Sequence, residues 1–293
     1  MVQNPVTIGD VRIGRGERLA FIAGPCVIED EKLLLATARE LSGIAERLEV
    51  GLVFKASYLK DNRMSPGSYA GPGARDGLAM LARVRAETGL PVISDVHTDV
   101  EVEAAASVLD AVQIPAFLCR QTRLMEAAAA CGRPVNIKKG QFLAPEDMAR
   151  VAAKATAAGA EAVLLTERGV SFGYHNLVVD MRGFQTLRAT GHPVVFDATH
   201  SIQLPGAGGG VSGGQPEFVP VLTRAACAAG CDAVFIETHP RPADALSDAA
   251  SMVPLSEFER LVEQALAVSD ASRPFTDGDD PSAGEITEAT DES

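Results

Sequence analysis

The sequence predicts an α/β protein: an eight-fold β/α (TIM) barrel with an N-terminal β-hairpin cap. Eight short, apolar, β-branched runs recur along the 293 residues, and Ala-rich segments of helical period separate them. Strict alternation of strand and helix implies parallel pairing, and eight such units match a closed barrel. An open, doubly wound sheet is the main alternative. The count of eight and the lack of a Gly-x-Gly-x-x-Gly turn after the first run disfavour it.

The predicted strands are four or five residues long and rich in Val, Ile, Leu and Phe. They are Leu19–Ala23, Gly51–Lys55, Pro91–Ser94, Ala111–Pro115, Val135–Lys138, Ala162–Thr166, Pro193–Asp197 and Ala233–Glu237. The segments between them that favour helix include Glu31–Leu48, Gly77–Glu87, Asp99–Ser107, Thr122–Ala130, Pro145–Ala158 and Pro220–Ala229.

The two ends of the chain differ from the barrel segment. Residues 2–14 alternate apolar and polar side chains around a Gly9-Asp10 turn signal, which predicts a small hairpin covering one end of the barrel. Residues 269–293 have few large apolar side chains, and from Asp270 onward they hold eight acidic residues against one basic residue. We therefore predict one barrel domain over 1–268, including the hairpin, and an acidic, disordered tail over 269–293.

Composition restricts the possible partners and the compartment. The 46% hydrophobic content is ample for a buried core, and the net charge of −13 disfavours nucleic-acid and membrane-surface partners, which usually need a basic patch. No signal peptide or membrane-spanning apolar stretch is apparent. Five cysteines are an odd number, which fits a reducing compartment better than a disulfide framework. We expect a cytoplasmic protein that binds neither nucleic acid nor membrane.

Polar side chains follow every predicted strand at its carboxyl end, where β/α barrels build their active sites. They are Cys26, Lys55 with Lys60, Asp95 with His97, Gln113, Lys138 with Lys139, Glu167 with Arg168, Asp197 with His200, and Glu237 with His239. Polar residues are common where strands reach the surface. Charges placed directly on apolar runs are nevertheless costly to bury unless they pair with each other or with a ligand. The sequence therefore predicts the functional site at this end of the barrel.

The charged residues at this end form two sets. The cationic set suits phosphate and carboxylate groups and predicts an anionic small-molecule substrate, with more than one phosphate in the site. It comprises Lys55, Lys60, Arg63, Arg120, Lys138, Lys139 and Arg168.

The second set combines thiolate, imidazole and carboxylate groups, which together can bind a divalent transition metal such as Zn, Fe(II) or Mn. It comprises Cys26, His200, Glu237, and Asp244 or Asp248. These residues follow the first, seventh and eighth strands, which adjoin in a closed barrel. Spacing alone leaves open the alternative that Cys26 is an inert core residue.

Over nearly the whole chain up to the acidic tail, the sequence resembles the 3-deoxy-D-manno-octulosonate 8-phosphate synthase family. The matching segments are Ile22–Cys26, Phe54–Ser57, Gln113–Thr122, Val135–Phe142, Thr166–Gly169, Asn176–Asp180, Asp197–His200 and Glu237–Pro240. The family has a metal-dependent class with Cys after the first strand and a metal-independent class with Asn there, so Cys26 places the chain in the first class. The resemblance implies a barrel homotetramer with one divalent metal ion, held by Cys26, His200, Glu237 and Asp248.

The resemblance also implies the substrates and the residues that bind them. Phosphoenolpyruvate would be held by Lys55, Ser57, Lys60, Gln113, Lys138 and Arg168. D-arabinose 5-phosphate would be held by Asn62, Arg63 and Ser65, with Arg120 reaching in from a neighbouring subunit. Where the family usually has Asn-Arg-Ser-Ser, this chain has Met64 in the third position, which removes a possible hydroxyl contact to the sugar phosphate.

The implied enzyme is a transferase that makes a lipopolysaccharide precursor. Carbon 3 of phosphoenolpyruvate attacks the aldehyde, water adds at carbon 2, and inorganic phosphate leaves by C–O cleavage. The catalytic residues expected on this basis are Lys60, Asn62, Asp95, Lys138 and His200, with Asp95 and His200 as candidates for handling the proton. Two rivals are a synthase of the shikimate-entry group that uses erythrose 4-phosphate, and a non-catalytic barrel that senses phosphorylated metabolites.

Overall fold

The computed structural model describes residues 5–62, 67–206 and 213–276, and within them it has the predicted closed barrel. The barrel strands are β1 (Ala20–Gly24), β2 (Leu52–Lys55), β3 (Val92–Asp95), β4 (Ala111–Ile114), β5 (Val135–Lys138), β6 (Val163–Glu167), β7 (Val194–Asp197) and β8 (Ala233–His239). Each strand pairs in parallel with the next, and β8 also pairs with β1, which closes the barrel. The eight-strand prediction is confirmed, with strand ends shifted by one or two residues.

A helix follows each barrel strand and covers its outer face. The helices are α1 (Glu31–Leu48), α2 (Ala74–Thr88), α3 (Val102–Val108), α4 (Thr122–Ala130), α5 (Asp147–Ala157), α6 (Arg182–Arg188), α7 (Val219–Ala229) and α8 (Leu255–Thr276). The helix α1 begins after Asp30, whose side chain accepts the Leu33 N–H, and ends at Glu49 in the left-handed conformation. None of the described helices is long and apolar enough to cross a membrane.

Shorter elements lie in the loops that follow the strands. A hairpin of Val170–Gly173 and Asn176–Val178 follows β6, Gln203–Leu204 pairs with Gly213–Gly214 after β7, and Val253–Pro254 pairs with β8. Single 3₁₀ turns lie at Asp99–Glu101, Ala116–Leu118, His200–Ile202, Pro216–Phe218 and Pro242–Asp244.

The predicted N-terminal hairpin is confirmed as two antiparallel strands, Val6–Ile8 and Val11–Ile13. The turn between them needs Gly9, which has a φ of 60° and where a Cβ atom would approach Pro91 Cβ to 2.7 Å. The buried side chains of the hairpin join an apolar cluster inside the amino-terminal end of the barrel. The hairpin therefore closes the end of the barrel opposite the predicted site.

The boundary predicted at residue 268 falls inside α8, which continues to Thr276. The last two turns of α8 form because they contact the neighbouring helices. Ser272 Oγ donates to Cys227 O of α7 at 3.2 Å, and the guanidinium nitrogen Nη2 of Arg188, in α6, lies 3.5 Å from Thr276 O. The compositional argument overlooked these contacts, since they are made by polar groups. The remainder of the predicted tail, 277–293, lies outside the described residues.

Alternation along each strand decides which side chains enter the barrel. In β2, Leu52 and Phe54 pack against the helices, whereas Val53 belongs to the interior apolar cluster. Lys55 follows two residues after Val53 and also points inward, where it bonds to Glu237 of β8, on the other side of β1. The barrel interior is thus apolar at its amino-terminal end and polar at its carboxyl-terminal end.

Candidate active site at the carboxyl end of the barrel

A cavity of about 430 Å³ opens at the carboxyl ends of the strands. The predicted site residues that line it are Lys55, Lys60, Asn62, Asp95, Gln113, Lys138, Arg168, His200 and Asp248. Three more predicted residues are buried directly behind this wall: Cys26 contacts Asp248, Ser57 donates to Asp95, and Glu237 accepts from Lys55. Residues from all eight strand ends therefore meet at one place.

Other predicted residues lie elsewhere. Arg120 is exposed and does not line the cavity of its own chain. Lys139 is buried beside Glu167, with 3.3 Å between Nζ and Oε1, and does not line the cavity either. Asp244 is exposed and pairs with Arg241 at 2.5 Å, which leaves Asp248 as the aspartate of this loop at the site. Arg63 and Ser65 lie outside the described residues.

The four residues of the predicted metal set lie together. One ligand atom each from Cys26, Glu237 and Asp248 lies within 4.8 Å of the other two, and Cys26 Sγ is 3.1 Å from Asp248 Oδ2. His200 Nε2 is 3.7 Å from Glu237 Oε2 and 3.8 Å from Asp248 Oδ2. Asp248 has a φ of 49°, in the left-handed region that only a few per cent of non-glycine residues adopt.

Two observations show that these residues fit a metal ion. Glu237 Oε2 is buried and makes no hydrogen bond within the described part of the chain, and an unpaired buried carboxylate oxygen is costly. The other ring nitrogen of His200, Nδ1, lies 2.9 Å from Asp197 Oδ2, which orients Nε2 toward the two carboxylates. A carboxylate behind the imidazole is the usual second contact of a metal-binding histidine. The donor set of sulfur, nitrogen and oxygen suits Zn, Fe(II) or Mn.

The protonation of these groups depends on burial and on neighbouring charges. Burial raises the pKa of the Cys26 thiol well above its usual value, and the charges of Asp248 and Glu237 raise it further. A bound cation would reverse this, because thiols that bind metals are deprotonated. Burial also acts to raise the pKa of Glu237, but the positive charges of Lys55 and His200 outweigh it and lower that pKa to about 2.

The lysines of the cavity are held by carboxylates. Lys55 Nζ donates to Glu237 Oε1 at 2.9 Å, and Lys138 Nζ donates to Asp197 Oδ2 at 2.6 Å and lies 3.6 Å from the centre of the Phe235 ring. Burial lowers the pKa of Lys138, although Asp197 opposes this effect. For Lys60, burial acts in the same direction, but the surrounding negative groups outweigh it and raise the pKa.

Arg168 completes the cationic wall. Its Nη2 donates to Gln203 Oε1 at 3.2 Å, whereas its Nη1 is buried and makes no hydrogen bond to the described residues. Burial lowers the pKa of this guanidinium. A buried guanidinium with an unused donor is suited to a carboxylate or phosphate ligand, which it can bind through two hydrogen bonds.

The sequence analysis missed several residues of this region. Asn136 and Thr166 are buried inside the barrel and hydrogen-bonded to each other, although neither follows the end of a strand. Strand alternation is the signal that could have found them, because each lies two residues from another inward-facing position. Ser247, whose Oγ is 3.0 Å from Cys26 Sγ, lies in an irregular loop with no periodic pattern to identify it.

Comparisons with known proteins identify the family of this chain. The model of the DAHP synthetase I family matches residues 2–271. Proteins named 2-dehydro-3-deoxyphosphooctonate aldolase are 55% identical in Pelobacter propionicus over 90% of this chain and 97% of the relative. In Acidithiobacillus ferrooxidans the identity is 57% over 83% of this chain and 86% of the relative. The resemblance inferred from the sequence motifs is confirmed, and the chain belongs to the DAHP synthetase I family.

Proposed function

We propose that this chain condenses phosphoenolpyruvate with D-arabinose 5-phosphate and water, giving 3-deoxy-D-manno-octulosonate 8-phosphate and inorganic phosphate as a lipopolysaccharide precursor. The observation that supports this best is the cavity itself. Buried cationic groups line it, and the metal set lies beside them, with His200 and Asp248 in the wall and Cys26 and Glu237 directly behind it. The names of the relatives specify the same octulosonate phosphate.

The cationic wall would bind and orient both anions. Lys60, Lys138 and Arg168 line the cavity and present positive charge to the phosphate and carboxylate of phosphoenolpyruvate. Asn62, which also lines the cavity, would hydrogen-bond the aldose. Holding carbon 3 near the aldehyde carbon, in a cavity that excludes most water, accounts for much of the rate enhancement we expect.

Proton handling would follow from the environments of Lys138 and Asp95. Because burial lowers the pKa of Lys138, its Nζ is the group on this wall best suited to give a proton to the aldehyde oxygen as negative charge develops there. Burial acts to raise the pKa of Asp95, but Lys55 and Lys60 outweigh it, so this carboxylate stays ionised. Asp95 would then orient donors around the substrate rather than supply a proton.

The metal ion would be held by Cys26, His200, Glu237 and Asp248. When bound, it would supply Lewis acidity next to the cavity, which polarises a carbonyl oxygen or lowers the pKa of a water molecule. The fit of the donor set supports one divalent ion and does not select between Zn, Fe(II) and Mn.

We also propose a cytoplasmic homotetramer. The exposure of Arg120 outside its own cavity supports an assembly in which Arg120 serves the site of a neighbouring subunit. All five cysteines are free, which is the usual state in a reducing compartment. Sedimentation of the purified protein, and of Arg120→Ala, would test the assembly.

The deciding experiment measures phosphate release from phosphoenolpyruvate with arabinose 5-phosphate and, separately, with erythrose 4-phosphate. We expect release with the five-carbon aldose and at least tenfold less with the four-carbon one, since a site shaped for one sugar loses contacts to a shorter one. Equal or greater release with erythrose 4-phosphate would favour the shikimate-entry rival. Binding of both ligands without any phosphate release would favour a sensor.

A further inference from the structure

A chain of buried hydrogen bonds runs across four neighbouring strands beneath the cavity. Thr166 Oγ1 in β6 donates to Asn136 Oδ1 in β5 at 2.6 Å, and Asn136 Nδ2 donates to Gln113 Oε1 in β4 at 2.9 Å. Gln113 Nε2 then donates to Asp95 Oδ1 in β3, and Ser57 Oγ donates to Asp95 Oδ2. All five side chains are at most 5% exposed.

The direction of this chain is set at Asp95. An ionised carboxylate only accepts hydrogen bonds, and the charges of Lys55 and Lys60 keep Asp95 ionised in spite of its burial. Gln113 must therefore turn its amide nitrogen toward Asp95, which turns its oxygen toward Asn136. Asn136 must in turn present its nitrogen to Gln113 and its oxygen to the Thr166 hydroxyl, which has to donate.

Only one of the amides involved reaches the cavity. Gln113 lines it, whereas Asn136 and Thr166 do not. The Gln113 nitrogen has two hydrogens, and Asp95 takes one of them, so the second is left for a ligand. If the amide were reversed, its oxygen would face both the Asp95 carboxylate and any anion in the cavity.

We infer that Thr166 and Asn136 are positioning residues for the Gln113 amide. Asp95 sets the direction of that amide, and Asn136, itself held by Thr166, bonds its oxygen and so keeps its nitrogen toward Asp95 and the cavity. In this orientation Gln113 presents an amide N–H donor, and not an acceptor oxygen, to an anionic substrate. This inference rests on the proposed function, in which phosphoenolpyruvate is that anion. Thr166 and Asn136 act only through Gln113, because neither can touch the substrate.

The test compares Thr166→Val, which keeps the shape and removes the hydroxyl, with Thr166→Ser, which keeps the hydroxyl. We expect Thr166→Val to weaken phosphoenolpyruvate binding about fivefold, the effect of one buried hydrogen bond, and Thr166→Ser to stay within about twofold of wild type. Binding is measured by titration calorimetry, and the KM for each substrate by phosphate release. The KM for the aldose should stay unchanged, which a general loss of packing would not allow.

The control repeats Thr166→Val in a Gln113→Ala background, where the inference predicts no further loss. Asn136→Ala, compared in the same two backgrounds, serves as a second test that does not depend on the folding of Thr166→Val. An equal loss with and without Gln113 would show a packing role and overturn the inference. If the wild type binds phosphoenolpyruvate and Thr166→Val and Asn136→Ala bind it equally well, the inference is wrong but the proposed function stands. A wild type that does not bind it would overturn the proposed function as well.

Discussion

The two ends of the barrel interior are built from the same strands and have opposite chemistry. Toward the amino-terminal end, the inward side chains are Val53, Leu164, Val195 and similar apolar groups, and the hairpin covers them. Two residues further along the same strands, about 7 Å away, they are Lys55, Thr166 and Asp197. A single strand thus contributes both to the core and to the site.

This contrast separates the source of stability from the source of activity. Burial of apolar surface stabilises the amino-terminal end, at about 0.8 kcal/mol for each methylene group. At the carboxyl-terminal end, buried charges are desolvated, and their mutual pairing does little more than offset that cost. We therefore expect substitutions at the charged end that break no direct ion pair to reduce activity more than stability, and substitutions at the apolar end to do the reverse.

The largest effect is expected for Lys60→Met. This change removes a cation from the cavity wall, and we expect kcat/KM to fall about a thousandfold. Lys60 Nζ lies 3.8 Å from its nearest carboxylate oxygens, so the midpoint of thermal unfolding should fall less than in Lys55→Met, which breaks the direct 2.9 Å contact to Glu237. Phosphate release and calorimetry provide the two measurements. Lys32→Met, on the exposed face of α1, is the matched control. A loss below tenfold would count against the assignment of this end as the catalytic one.

A slightly smaller effect is expected from removal of the metal ion. Chelation should lower activity about a hundredfold, because it removes the positive charge of the metal ion held by Cys26, His200, Glu237 and Asp248. Addition of Mn, Fe(II) or Zn should restore the activity. Cys26→Asn should have partial activity that resists the chelator, since the metal-independent class has Asn at this position.

Metal content measured by plasma mass spectrometry must accompany these assays. The control is Cys227→Ala, which changes a buried cysteine on α7. Its activity should respond to the chelator as that of the wild type does. Full activity in protein shown to be free of metal would contradict the proposed metal dependence.

The apolar end is tested by Ile8→Ala. Ile8 is fully buried in the hairpin, and its truncation should lower the free energy of unfolding by about 2–4 kcal/mol. We expect kcat/KM to stay within about twofold of wild type, because the hairpin lies at the end opposite the cavity. Urea unfolding and phosphate release measure the two quantities. Thr7→Ala, at an exposed position of the same strand, is the control. An activity loss greater than tenfold would remove the distinction between the two ends.

The smallest effect concerns acid pH. The pKa of Glu237 is about 2 in the folded protein against 4.5 for a free side chain. Since the folded value is the lower one, the contribution of this carboxylate to stability is complete above pH 4.5 and is lost as pH falls toward 2. Metal-free wild type should lose stability in this range more steeply than metal-free Glu237→Gln. Parallel profiles from urea unfolding would show that Glu237 is not held ionised by its neighbours.

Much of the fold and part of the site could be predicted because both depend on local pattern. Apolar runs such as Val135–Lys138 form strands wherever helices alternate with them, and parallel closure then places Lys138 and Glu237 at one end. The choice between Asp244 and Asp248 could not be predicted from spacing, since both lie in one irregular loop. Only the path of that loop turns Asp248 toward Cys26 and leaves Asp244 with Arg241.

By itself, the sequence determined the barrel, its hairpin, the end at which polar groups collect, and the family. Periodicity and motif identity are properties of the chain, independent of how distant parts meet. The pairing of the charges, the direction of the Gln113 amide, and the Glu237 oxygen that lacks a hydrogen bond within the described residues follow from the tertiary structure alone. These depend on distances between side chains far apart in sequence. Hydrogen bonds and ion pairs respond to differences of less than an ångström.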